Sequence, residues 1–392
     1  MNNDIGTQNL HGQKAENFDS LFERISALIE QSRLRVVTVA NIAEVYTKYH
    51  IGRYIVEDEQ KGEHRAEYGK RILTRLSEKL TERFGKGWGL ENLRLIRKFY
   101  LTYSSKIPDS VWGVAGKIPN TVLENASQQS SNVWYANRSD DTDNRHLPSP
   151  AFTLSWSHYL ILIRIENPDA RSFYEIECTQ QQWSVRQLSR QVGSSLYERL
   201  ALSRDKEEVM RLAREGQTIE KPADIIKNPL TLEFLGLKPE AAYTESKLEN
   251  AIIGKMQQFL LELGKGFLFE ARQKRFSFDE RNFYVDLVFY NRLLQCYVLI
   301  DLKTGDLTHQ DLGQMQMYVN YYDRHVKQDF EKPTIGILLC EEKSDALVEL
   351  TLPPDANIYA SQYSLYLPDK TLLQRKLKEW IDEFNDRRGG EG

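Results

Sequence analysis

The chain has 392 residues, with 52 Lys and Arg against 56 Asp and Glu, and its 41% hydrophobic content supplies real cores and excludes wholesale disorder. Cys178, Cys296 and Cys340 are odd in number and far apart, so neither a disulfide framework nor a cysteine-built zinc site is supported, and a reducing compartment fits. No apolar run approaches the roughly 18 residues of a membrane span, so a soluble, cytoplasmic protein of about two domains with no membrane partner is expected.

From Phe18 to about Tyr103 the apolar spacing is helical. Leu21, Ile25, Leu28 and Ile29 mark one segment, and Val39, Ile42, Val45, Tyr46 and Tyr49 the next. A third helix carries Ile72, Leu73, Leu76, Leu80 and Phe84 and ends at the turn Gly85-Lys86-Gly87-Trp88-Gly89, which leads to a fourth with Leu93, Ile96 and Phe99. Two helices joined by a short glycine-rich turn make a helix-turn-helix arrangement available. Between Arg65 and Lys106 there are eleven Lys or Arg and four Asp or Glu, an excess of seven positive charges in an acidic chain. Arg94 and Lys98, four apart with Arg97 between them, fall on the solvent side of the fourth helix. There they either neutralise nucleic-acid phosphates or form an ordinary solvated face.

Residues 107–150 have no sustained period and are rich in Ser, Asn, Asp and Pro, which reads as a loop insertion. Helical patterning resumes at Trp156, and Ser184-x-x-Gln187 reads as a capping box. The expected organisation is an all-helical domain over 18–203, a Pro-punctuated connection over 204–240, and an α/β domain over 241–388. That last domain should open with one long helix from Leu248 to Leu263. Strands at FLFEARQKRFSF, FYVDLVFYN and CYVLIDLK follow, then a helix near 310–326, a buried strand near 334–339, a short helix near 346–350 and a closing helix.

Charge inside apolar strands needs a reason. Asp286 interrupts Val285-Leu287-Val288, while Asp301 follows Val298-Leu299-Ile300 and shares a strand face with Lys303. A hairpin loop centred near Leu293 and Leu294 would set Asp286 opposite Asp301, and two opposed carboxylates become tolerable around a divalent cation. A turn at Asn291-Arg292 would leave them two pairs out of step. The plainer reading is strand-end acids, or a buried acid paired with Lys303 or Arg272. Glu249 is explained by a Ser246-x-x-Glu249 capping box, yet a carboxylate there could also lean over a metal. Gln314 and Tyr318 lie four apart on one helical face, a spacing that also suits plain core packing. The glycine-rich turn at 85–89 lacks the spacing of a phosphate-binding loop, and none of the seven histidines lies in an HExxH motif.

In this order, Asp286, then Asp301-Leu302-Lys303, then Gln314-x-x-x-Tyr318 resembles the PD-(D/E)xK nuclease superfamily in its RecB-like branch. FLLELGKGFLFEARQKRF, FYVDLVFYN, CYVLIDLKTGDL and GQMQMYVNYYD are similar throughout to the bacterial YhcG-like family, whose first half is a separate helical domain. The resemblance implies an α+β protein: a helical, helix-turn-helix-like N-terminal domain and a restriction-endonuclease-like core with a mixed sheet flanked by helices. It implies Glu249, Asp286 and Asp301 as acidic metal-site residues with the Leu302 carbonyl as a further ligand, Lys303 acting on water or phosphate, and Gln314 and Tyr318 in support. Mg²⁺ is the implied cofactor, with Mn²⁺ as a substitute, and DNA the implied substrate. Asp301 stands where the family more often has glutamate. A homodimer is compatible with this reading, and a non-catalytic DNA-binding or protein-interaction scaffold is the alternative.

Overall fold

The computed structural model describes residues 5–61, 65–106, 152–202, 206–238, 243–353 and 355–389, and the expected insertion over 107–150 lies outside them. Contacts divide the chain into two compact units, Met1–Arg164 and Ile165–Gly392.

The first unit is helical, with α1 (Ile5–Lys61), α2 (Arg65–Phe84), α3 (Leu90–Tyr103) and α4 (Trp156–Leu162). The two segments expected before α2 are one helix, because residues 30–38 contain neither Gly nor Pro to end it. Gly85 (φ 80°) and Gly87 (φ 113°) turn the chain between α2 and α3 in the left-handed region that glycine enters freely. Phe99 centres an aromatic core. Its ring lies 6.1 Å from Tyr49, 5.1 Å from Tyr103, Phe152 and Tyr159, and 5.2 Å from Trp156. Gly52 of α1 lets α3 approach closely, since a Cβ there would lie 2.6 Å from the Ile96 carbonyl oxygen and 2.7 Å from Tyr100 Cβ. Gly52→Ala should therefore destabilise this unit by about 1–3 kcal/mol through overpacking, outweighing the ~1 kcal/mol that alanine ordinarily gains in a helix. Urea unfolding followed by circular dichroism checks this, and an unchanged or raised midpoint would refute the close approach.

In the second unit, α5 (Pro168–Gln180), α6 (Val185–Gly193), α7 (Leu196–Leu202) and α8 (Lys206–Glu215) precede the sheet. The Ser184 capping box forms as its sequence indicates. The strands are β1 (Leu230–Thr231), β2 (Phe267–Phe278), β3 (Arg281–Asn291), β4 (Cys296–Leu302), β5 (Ile335–Cys340) and β6 (Ile358–Ser364), in the order β1-β6-β5-β4-β3-β2. The β2, β3 and β4 meander is antiparallel, and the β4, β5, β6 and β1 side is parallel. The sheet is mixed, as the sequence resemblance implied. β1 and β6 were not anticipated; they are short, and their polar positions hide the alternation.

Two apolar clusters cover the two faces. One joins Leu287, Phe289 and Ile300 to Leu248, Ile252 and Phe259 of α9 (Glu245–Gly254) and α10 (Met256–Leu263). The other joins Val285, Val288 and Leu299 to Leu312, Met315 and Tyr318 of α11 (His309–His325). α12 (Asp345–Thr351) and α13 (Lys370–Gly389) complete the unit. The single helix expected over Leu248–Leu263 breaks at Lys255 (φ −128°, ψ 31°), directly after Gly254.

The division by contacts falls at 164/165, upstream of the domain boundary expected near Ser203. The fully buried Glu262 of α10 accepts from Arg199 Nη1 at 2.7 Å, Arg190 Nη1 at 3.0 Å and the Thr231 backbone N–H at 3.0 Å, while Gln191 Nε2 donates to the Leu261 carbonyl at 3.1 Å. These bonds tie α6 and α7 to the sheet. The segment read as a connection contributes β1 and buries Ile225, Leu230 and Leu232 in the core, so it is part of the second unit. Among the described residues no helix is long and apolar enough to cross a membrane, and the three cysteines are buried and unpaired.

Candidate active site

The β3–β4 hairpin pairs Leu287 with Ile300, Val288 with Leu299 and Asn291 with Cys296, which sets the loop at 292–295 and carries Asp286 opposite Asp301. The first of the two registers considered is the one adopted. Loop closure is local: Asn291 Oδ1 accepts from the Leu293 and Leu294 backbone N–H groups at 3.0 and 3.1 Å. Asp286 Oδ2 then accepts from the Leu302 N–H at 2.8 Å, so the strand partner's backbone orients the carboxylate.

Asp301 is 3% exposed and stands opposite Asp286 across the hairpin. Burial first, then the Asp286 charge, pushes its pKa up to about 7 against the opposing pull of Lys303. Lys303 Nζ lies 3.0 Å from Asp301 Oδ2, 3.5 Å from Asp311 Oδ1 and 3.8 Å from Glu245 Oε1. Burial alone would lower the lysine's pKa, but these three carboxylates outweigh it and hold it above the ordinary value. Lys303 is therefore a cation at neutral pH.

Glu249 is buried in the second turn of α9, whose N-cap is Thr244 and not Ser246, so the capping-box explanation for this glutamate does not apply. Its Oε2 accepts from Gln273 Nε2 at 2.7 Å, and its Oε1 lies 3.1 Å from Arg272 Nε without a hydrogen-bond partner of good geometry. On α11, Gln314 Nε2 donates to the Tyr318 hydroxyl. Burial raises the Tyr318 pKa, the hydrogen bond from Gln314 opposes it, and the Asp301 and Asp286 charges add to the rise. His309 is an exposed first-turn residue of the same helix.

This order of acids, lysine and supporting helix has relatives. The YhcG PDDEXK nuclease domain matches residues 223–378, and the DUF1016 N-terminal domain matches 24–144 and 132–199. A protein of Escherichia coli (strain K12) named "Putative nuclease YhcG" is 37% identical over 362 residues, covering 92% of this chain and 93% of that one. The chain belongs to the YhcG family. Its C-terminal region is a nuclease domain of the PD-(D/E)xK kind. Among solved structures, a repair endonuclease from Pyrococcus abyssi covers 34% of this chain and 50% of that chain at 16% identity and a TM-score of 0.22, a likeness too slight to bear on the fold.

In this YhcG-family site the donors are hard oxygens suited to a divalent cation: two strand carboxylates set opposite each other and a buried glutamate. Among the described residues, however, no three acids, histidines or cysteines converge into a ready-made cluster. Sequence reading passed over Gln273, which lies at these acids. Its Nε2 donates to Glu249 Oε2 at 2.7 Å and to Asp286 Oδ1 at 2.9 Å, so the amide stands between them. Nothing local announces it, because Arg272-Gln273-Lys274-Arg275 reads as an ordinary polar strand face. Glu245 and Asp311, which hold Lys303, were likewise not anticipated.

In the YhcG helical unit, the three cations singled out on α3 are not equally available. Arg94 is bonded to Glu91, and Arg97 Nε donates to Glu59 Oε2 at 2.7 Å. Lys98 is exposed.

Proposed function

We propose that this protein is a divalent-metal-dependent nuclease that hydrolyses phosphodiester bonds of DNA, with the helical unit contributing nucleic-acid binding. The observation that carries the reading is the hairpin register that brings Asp286 of β3 opposite Asp301 of β4, with the Lys303 ammonium 3.0 Å from Asp301. Asp286, Asp301, Glu249 and the Leu302 carbonyl would hold Mg²⁺, or Mn²⁺ in its place. When bound, the ion lowers the pKa of a water and neutralises charge on the phosphate.

The protein's own groups have distinct tasks. Lys303, kept cationic by Asp301, Glu245 and Asp311, donates hydrogen bonds to a phosphate oxygen or the attacking water and does not serve as a general base. The Leu302 N–H holds Asp286 in place, and Gln314, bonded to Tyr318, supports the site. In the helical unit, phosphate contacts rest on Lys98 and on exchange of Glu91 and Glu59 for phosphate at Arg94 and Arg97.

A non-catalytic DNA-binding scaffold is the second reading, favoured by the amide of Gln273 between Glu249 and Asp286. Incubating linear, circular, single-stranded and branched DNA with the protein in Mg²⁺ or Mn²⁺, against the same mixture with chelator, separates the two. Cation-dependent cleavage is expected. Salt-sensitive binding with no cleavage of any substrate would sink the enzyme reading and leave the scaffold.

A further inference from the structure

We infer that Gln273 is a positioning residue for the cation site, holding Glu249 of α9 and Asp286 of β3 in one arrangement through a single side-chain amide. The inference rests on the metal-dependent reading above and assigns a role to a residue outside the acid-lysine set.

Three observations carry it. The first is geometric: one Nε2 donates both of its hydrogens, at 2.7 Å to Glu249 and 2.9 Å to Asp286. Asp286 thereby has both oxygens engaged, Oδ1 by Gln273 and Oδ2 by the Leu302 N–H. Helix and hairpin meet at the acids through this amide and through the Arg272–Glu249 ion pair beside it.

The second is backbone conformation. Gln273 has φ 45°, in the left-handed region that a glutamine enters only at a cost. The β2–β3 ladder pairs Arg272 with Leu287 and Lys274 with Val285, and skips the Gln273–Asp286 step between them. Side-chain alternation slips at the same point, because Val285 and Val288, three residues apart, enter the same core cluster. The register is the same on either side of this skipped step, and there the Gln273 side chain reaches both Glu249 of α9 and Asp286 of β3.

The third is exposure. Gln273 is an exposed residue, so it fills no core volume and its truncation opens no cavity. A strained residue that packs nothing but hydrogen-bonds two site acids is held for the site. Its length matters as well: the amide must reach across to a helix, which a shorter side chain would not do from the same backbone.

The test uses the full chain, Mn²⁺ alone as the probe, and Gln273→Gly with Gln273→Ala. Glycine accepts φ 45° without strain, so Gln273→Gly should unfold at or above the wild-type temperature, whereas a merely structural residue would lower it. Calorimetric Mn²⁺ titration should show affinity weakened about 10- to 100-fold in both variants, the usual loss when a residue orienting a metal ligand is removed. Cleavage should recover toward the wild-type kcat at saturating Mn²⁺, which marks a positioning role and not a catalytic one. Folded Gln273→Gly protein that binds Mn²⁺ within twofold of wild type overturns this inference and leaves the nuclease reading standing. A wild type that binds no Mn²⁺ overturns both.

Discussion

Asp301→Asn is expected to lose cleavage by about 10³-fold, roughly 4 kcal/mol of transition-state stabilisation, and at the same time to make the chain harder to unfold at pH 8. The two effects share a cause. Asp301 is 3% exposed and stands opposite Asp286, and burial, then the Asp286 charge, pushes its pKa up to about 7 from 3.8. A carboxyl raised in the folded state favours folding when protonated. Its contribution is fully present below about 4 and is lost as pH rises through about 7. Asparagine removes that loss, so the advantage of the variant should grow from pH 4 to pH 7 and stay level above, reaching about 2–4 kcal/mol. Urea unfolding in chelator at pH 5 and pH 8 checks this. An advantage that does not grow between the two pH values would show that the carboxylate is not held under strain. The expected growth would make the site an instance of the usual trade in which function is kept at the expense of stability.

Glu262→Ala should be the most damaging single change outside the site. Its carboxylate is fully buried and bonded to Arg199, Arg190 and the Thr231 N–H, and the Lys227 ammonium donates to its backbone carbonyl. Burial alone would raise the Glu262 pKa, but Arg199, Lys227 and Arg190 hold it at about 2, while burial brings Lys227 down to about 8. Removing the acid strands buried cations, which typically costs about 3–5 kcal/mol. A glutamate held low stabilises the fold above its unfolded pKa near 4.5, and that contribution is lost as pH falls through about 2. Denaturant unfolding near pH 7 reads the cost directly, and a change under about 1 kcal/mol would mean that α6 and α7 dock by apolar contact alone.

Much of the hairpin was legible because strand chemistry is periodic. Two acids in otherwise apolar strands, equidistant from a loop centre, leave few registers, and Leu287 pairing with Ile300 selects the one that apposes them. The helix with Gln314 and Tyr318 was legible for the same reason, its apolar face recurring at helical spacing. Glu249 was ambiguous, since its spacing from Ser246 satisfies a cap rule that the chain satisfies instead with Thr244.

The amino-acid sequence alone determined the family, the helical character of the N-terminal region and the strand order of the hairpin, because each follows from local period or an ordered motif; it narrowed the hairpin to two registers, and the structure selected the one that apposes Asp286 with Asp301. Only the tertiary structure decided that residues 165–202 pack in one compact unit with the sheet, that Glu245 and Asp311 hold Lys303, and that Gln273 bridges two acids. Those contacts join residues up to some tens of positions apart through side chains, and one depends on a left-handed glutamine that no periodicity encodes.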